Sequence, residues 1–248
     1  MPEGDAVHRV AERLSVLEGE IVTALSPHPR AALLGIVERI DGKRLERVEA
    51  IGKNLLLTFE GGLVVRSHLR MHGRWHVQPA GRPVLGKPWL VLRGGAWQAV
   101  QRNGPVLELG AQKVARLGPD IMRAPPDLEG MIERFRKTDQ ERALGEAILD
   151  QRLVAGVGNM WKAEVLFVAR VSPWTHLRDL ADDDLRRVLA EAARAMQAPR
   201  RRGRFVYRRA GRPCTRCGAS VRSWPQGDDA RMAYWCPGCQ AGTGPRGA

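Results

Sequence analysis

All four cysteines fall in one short segment. Cys214 and Cys217 are separated from Cys236 and Cys239 by eighteen residues. A disulfide framework spreads its cysteines through a fold, whereas two C-x2-C pairs form two knuckles whose sulfurs reach one ion. Four thiolates in tetrahedral array suit zinc, with an iron–sulfur centre as the rarer occupant of such a set. Four protein ligands leave no open position for a reacting water, so the expected ion is a single structural Zn2+. Between the knuckles Arg231 to Trp235 reads as a β-strand, preceded by a turn at Pro225 to Asp229, and the segment is expected to be a metal-pinned hairpin. Ribbons of this kind occur in enzymes and in purely binding proteins, so the hairpin alone names no function.

The rest of the chain divides by periodicity. From Asp5 to Gly19 the apolar residues Val7, Val10, Ala11, Leu14 and Leu17 recur at helical spacing, and Gly19 offers a stop. From Ile21 to about Leu109 the pattern changes to short β-rich runs, among them Leu55 to Phe59, Leu63 to Ser67, Trp89 to Leu92 and Trp97 to Gln101. This predicts a β-sandwich or barrel. After the linker-like LGPDIMRAPP the sequence predicts helices at Leu128 to Arg136, Glu141 to Leu149, Asn159 to Ala169 and Leu180 to Gln197. Gly156 and Gly158 mark a tight turn between the second and third. An arginine run, Arg200, Arg201, Arg202 and Arg204, ends the helical part, and a Gly-rich tail follows Gln240.

Forty Lys and Arg against 27 Asp and Glu leave a net charge of +13, which favours a polyanionic partner and points first to nucleic acid. No run is long enough for a membrane-spanning helix, and the start lacks a signal-peptide layout, so a cytoplasmic location is expected.

The chain starts Met1-Pro2-Glu3-Gly4. A small second residue permits removal of Met1, which leaves a secondary amine on Pro2 with Glu3 beside it as a proton donor. Such an amine can attack the anomeric carbon of a sugar. Many chains begin Met-Pro for other reasons, and the dipeptide by itself decides nothing.

Taken together, MPEGD, IGKNLLL at 51–57, SHLRMHG at 67–73, LDQRLVAGVGNMWKAEVLF at 149–167 and RMAYWCPGCQ at 231–240 resemble the formamidopyrimidine-DNA glycosylase and endonuclease VIII family, in order and over essentially the whole chain. PEGD is more similar to the endonuclease VIII side, in particular its actinobacterial members. The resemblance implies an α+β protein: an N-terminal catalytic β-sandwich with flanking helices (1–117), a linker (118–126), a helix-two-turn-helix DNA-binding domain (127–204), a zinc-finger β-hairpin (205–240) and a disordered tail (241–248), with DNA in the cleft between domains. It also implies roles. Pro2 is the Schiff-base nucleophile, Glu3 the acid assisting sugar-ring opening, and Lys53 a phosphate contact near the reacting sugar. Asn159 and Arg231 bind phosphate, and Arg70, Met71 and His72 fill the void left by a flipped nucleotide. Ala6 stands where many members carry a glutamate, which leaves open whether neighbouring Asp5 takes over. The little chain between the last helix and the zinc finger leaves scant room for the long capping loop of the purine-specific branch.

The implied activity is a bifunctional glycosylase and abasic-site lyase of base excision repair, monomeric and nucleoid-associated, that removes oxidised pyrimidines and cleaves by β,δ-elimination. Two alternatives stand beside it: a glycosylase for 8-oxoguanine or formamidopyrimidine, and a non-enzymatic zinc-ribbon DNA-binding protein.

Overall fold

The computed structural model describes residues 2–104, 106–198, 203–240, 242 and 244–245. Met1, Arg200, Arg201, Arg202 and most of the tail expected at 241–248 lie outside the described residues. The chain forms two compact units, Met1–Arg116 and Leu117–Ala248. Among the described residues no helix is long and apolar enough to cross a membrane.

In the first unit, helix α1 (Gly4–Leu14) buries Val7, Val10, Ala11 and Leu14 on one face. It stops earlier than the apolar periodicity suggests. A 3-10 turn, Ser15–Leu17, tightens the end and carries the fully buried Leu17 inward before Gly19 turns at φ 85°. The strands are β1 (Thr23–Leu25), β2 (Leu45–Ile51), β3 (Asn54–Phe59), β4 (Leu63–His68), β5 (Arg74–Pro79), β6 (Leu90–Arg93), β7 (Trp97–Arg102) and β8 (Val106–Leu109), with short helices α2 (Pro29–Ala32) and α3 (Val37–Ile40) after β1. They build two antiparallel four-stranded sheets, ordered β1-β6-β7-β5 and β2-β3-β4-β8. Leu55, Leu57 and Phe59 on β3 meet Leu90 and Leu92 on β6 and Val7, Val10 and Leu14 of α1 in one core. The alternation along β3 sends every second residue to that core, while Asn54 and Leu56 on its other face are buried as well.

In the second unit the helices are α4 (Leu128–Lys137), α5 (Leu144–Ala147), α6 (Asn159–Val168) and α7 (Asp182–Gln197). Asp127 caps α4 by accepting the Gly130 N–H at 2.9 Å, and three aspartates, 182 to 184, complement the dipole at the start of α7. The helix expected over Glu141 to Leu149 is cut to one turn. Leu144 and Gly145 give their N–H groups to the carbonyls of Thr175 and Pro173, so the preceding residues run extended against that segment, with Ala143 bridged to His176. Met131, Phe135, Leu153, Val165, Leu185, Leu189 and Met196 fill the helical core. The hairpin follows as β9 (Arg222–Gln226) and β10 (Arg231–Trp235), paired antiparallel. Its turn occupies residues 227–230, with Gly227 at φ 70° and Ala230 at φ 48°. Pro225, expected in that turn, instead lies in β9 opposite Met232.

Candidate functional site

Pro2 is half-buried and precedes the N-cap of α1. Glu3 is the N-cap residue of that helix, with 3% of its surface exposed. Asp5 is as deeply buried and forms an ion pair with Arg9 one turn along α1. Ala6, its neighbour, is only half-buried.

Lys53 lies in a two-residue hairpin, Gly52-Lys53, closed by the pair Ile51 and Asn54. Gly52 adopts φ 59°, the left-handed conformation that the first position of a type II′ turn demands, and this fixes the direction in which the β2–β3 hairpin ends. Across β3 and β4, Asn54 stands opposite His68. Arg66 is buried here and donates to Asn54 Oδ1 at 2.5 Å and to Glu108 Oε2 on β8 at 2.8 Å. Lys113 contacts the other Glu108 oxygen at 2.7 Å, and Lys113 together with Arg66 holds the Glu108 carboxyl below its ordinary range. His68 is pushed down from 6.5 to about 4, by burial first and then by Arg70, Arg66 and Lys53. Lys53, Arg66, His68 and Arg70 thus share one cationic end of the β2-β3-β4-β8 sheet. Arg70, Met71 and His72 follow β4 in an exposed turn, with Met71 54% exposed.

In the second unit, the turn before α6 is held by Gln151. Its side chain donates to the carbonyls of Leu149 and Val157 at 2.9 and 3.0 Å and accepts from Gly156 at 3.1 Å. Asn159 opens α6, and its Nδ2 donates to Met232 O on β10 at 3.0 Å while its buried Oδ1 has no hydrogen-bond partner among the described residues. Asn159 and the Arg231–Met232 strand are therefore brought together by a direct bond. Arg231 is half-exposed, with the Asp229 carboxylate 3.9 Å away. It borders a 300 Å³ polar cavity that Arg142, Asp150, Arg152 and Gln226 also line.

The four cysteine sulfurs lie within 4.8 Å of one another, Cys214 and Cys239 at 3.8 Å and Cys217 and Cys236 at 3.4 Å. Four sulfurs at about 2.3 Å from one ion would stand roughly 3.8 Å apart, so the donor set fits a tetrahedral metal. Burial pushes the Cys236 thiol up to about 12. At Cys214 burial acts in the same sense, but the N–H groups of Arg216 and Cys217 together with the Cys236 and Cys239 sulfurs outweigh it and bring the thiol down to about 7. Several thiolates packed this closely repel one another unless a cation lies among them.

Sequence reasoning passed over the residues that hold these parts in place. Glu164 on α6 accepts the N–H groups of Phe205, Val206 and Tyr207 at 2.8 to 3.0 Å, so α6 anchors the chain entering the metal module. Gln240 ties Cys236 N–H to Val171 O, and the Arg216 guanidinium lies 4.2 Å over the Phe167 ring. The only signal for Glu164 and Arg66 was a charged residue inside an apolar run.

The N-terminal domain of formamidopyrimidine-DNA glycosylase matches residues 1–102, and the helix-two-turn-helix domain of the same enzymes matches residues 117–206. A Streptomyces coelicolor protein named "Probable endonuclease 8 2" is 40% identical over 270 aligned positions, covering 99% of this chain and 96% of its own. The Mycolicibacterium smegmatis DNA-(apurinic or apyrimidinic site) lyase Nei2 is 33% identical, with 97% and 99% covered. The fold is that of Lactococcus lactis formamidopyrimidine-DNA glycosylase bound to DNA containing an abasic site, at TM-score 0.81 and 23% identity, over 97% of this chain and all of that one. With both domain matches in order and a relative this similar end to end, the chain belongs to the formamidopyrimidine-DNA glycosylase and endonuclease 8 family.

Proposed function

We propose that this bifunctional glycosylase and abasic-site lyase of base excision repair removes oxidised pyrimidines from DNA with the Pro2 amine as nucleophile. The observation that carries the reading is the placement of Pro2 and the buried Glu3 side by side at the N-terminus of α1. The positive end of the helix dipole disfavours a protonated amine there and favours the free base that attacks. An α-amino group is also nearer to losing its proton than a lysine, with reference values of roughly 8 against 10.4.

Pro2 N forms a bond to C1′ as the glycosidic bond breaks; the bond's electron pair leaves with the base, which takes up the proton that the amine gives up. Glu3 gives a proton to O4′ as the sugar ring opens, which leaves an iminium between Pro2 and C1′. A secondary amine has no further N–H to lose, so the charge persists and acidifies C2′. Loss of that proton expels the 3′ phosphate, and a second proton loss from C4′ expels the 5′ phosphate. Water then hydrolyses the iminium and frees Pro2. Lys53 contacts a phosphate next to the sugar. Asn159 and Arg231 hold further phosphates, and Arg70, Met71 and His72 fill the vacated stack.

Cys214, Cys217, Cys236 and Cys239 hold one zinc, whose part is to fold the hairpin. The short connection of residues 198–204 between α7 and the Glu164-anchored segment supports a pyrimidine preference. The net charge of +13 supports an enzyme acting as a monomer on DNA.

Borohydride trapping on oligonucleotides carrying thymine glycol, 8-oxoguanine or an abasic site tests the reading. A stable adduct on Pro2, located by proteolysis and mass spectrometry, is expected, fastest with thymine glycol and abasic substrates and slowed in Pro2→Gly, whose primary amine gives an imine that can lose its proton. An adduct on Lys53 sinks the nucleophile assignment. No adduct on any substrate would favour a DNA-binding protein without catalysis.

A further inference from the structure

We propose that His68 is a positioning residue whose Nδ1, by accepting the Arg70 N–H, sets the turn that presents Arg70, Met71 and His72. The DNA consequence rests on the reading that these three residues fill the vacated stack. β4 ends at His68, and the chain must reverse into β5 at Arg74. Leu69 goes inward, 3% exposed, as part of the sandwich core, so the reversal falls on the next few residues. Arg70 takes φ 50°, a left-handed conformation that a side chain with a Cβ disfavours. Two hydrogen bonds compensate. Arg70 N–H donates to His68 Nδ1 at 3.0 Å, and Gly73 N–H donates to Leu69 O at 2.8 Å. Position 73 has room for nothing larger than glycine, since a Cβ there would stand 2.4 Å from Leu69 O. The turn is clamped at both ends, and Met71 is held out at its crest.

The His68 clamp works only while Nδ1 carries a lone pair, that is, in the neutral imidazole with its proton on Nε2. The surroundings enforce that state. Arg66 lies on the same strand, Lys53 in the β2–β3 turn and Arg70 in the turn itself, and all three oppose a positive imidazole. Opposite His68 stand the uncharged Asn54 on β3 and Val106 on β8. Glu108, two residues along β8, is committed to Arg66 and Lys113. Protonation would place an N–H against the Arg70 N–H and open the clamp.

The test uses the full chain. His68→Leu removes the acceptor. In His68→Asn, Oδ1 stands as many bonds from the backbone as Nδ1, can accept the same N–H and does not titrate. Amide exchange at Arg70 should rise in His68→Leu by about two- to tenfold, the worth of one hydrogen bond, and stay near wild type in His68→Asn. In the wild type alone, protection of this amide should fall between pH 6 and 4.5. For the DNA consequence, 2-aminopurine opposite a tetrahydrofuran abasic analogue should lose its binding-induced fluorescence change in both His68→Leu and Met71→Ala. Unchanged exchange at Arg70 in His68→Leu overturns the proposal, as does His68→Asn behaving like His68→Leu. If His68→Leu does not fold, an identical pH profile in wild type and His68→Asn overturns it. Loosened exchange with an intact fluorescence change in both His68→Leu and Met71→Ala leaves the positioning role standing and removes the stack-filling reading.

Discussion

At the scale of residues, His68 and Asp150 lose their stabilising state in different pH windows. His68 titrates near 4 in the folded chain and near 6.5 when unfolded. As pH falls through 6.5 the unfolded state takes up a proton that the folded state refuses, so stability drops until about pH 4 and no further on this account. Asp150 is held down to about 2 from 3.8, chiefly by its hydrogen bond from Arg152, so its contribution is present above 3.8 and disappears only between there and 2. Chemical unfolding from pH 7 to 4.5 should therefore show a decline in stability that His68→Asn flattens. An equal decline in the variant would mean that other groups carry it.

At the scale of elements, α6 is the post to which the metal module is tied. Three backbone N–H groups converge on the Glu164 carboxylate, and Gln240 and Arg216 add bonds to the chain after and within the same helix. Glu164→Ala leaves these N–H groups without an acceptor in a largely buried place and should cost about 2 kcal/mol in urea unfolding of the whole chain. A loss below about 0.5 kcal/mol would show that water replaces the carboxylate without penalty. The hairpin has few apolar contacts of its own, so its folding depends on its ligands. Chelation of the metal, or Cys236→Ser, is expected to weaken DNA binding and to increase proteolysis between Arg212 and Gln240 together. Full DNA binding by metal-free protein would separate the hairpin from the interface.

At the scale of the whole molecule, a surplus of 13 positive charges makes binding to DNA depend on salt through release of counterions. Arg231 is half-exposed, and its carboxylate neighbour stands at the limit of an ion pair, so its guanidinium can be given to a phosphate at little cost. Arg231→Ala should weaken binding to all sequences alike and lower the slope of log K against log salt by about 1. A loss confined to certain bases beside the lesion would mean that Arg231 reads sequence.

The cysteine spacing, the change of period after Gly19 and the helices of the second unit were legible because each depends on residues close together in the chain. So was the family, through motifs that run from MPEGD to RMAYWCPGCQ. What the sequence by itself could not determine was set by groups that meet only on folding. The helix expected at Glu141 shrank to one turn because Leu144 and Gly145 bond to Thr175 and Pro173. The hairpin turn moved past Pro225, which pairs with Met232. Arg66 and Glu164 looked like exceptions to apolar runs until their partners, Glu108 and residues 205–207, arrived from 42 and 41 or more positions away. His68 was one letter inside a recognised motif. Its neutral state and its hold on Arg70 come from burial and from three cations, one of them on a separate hairpin, which no local pattern encodes because electrostatic fields act through space.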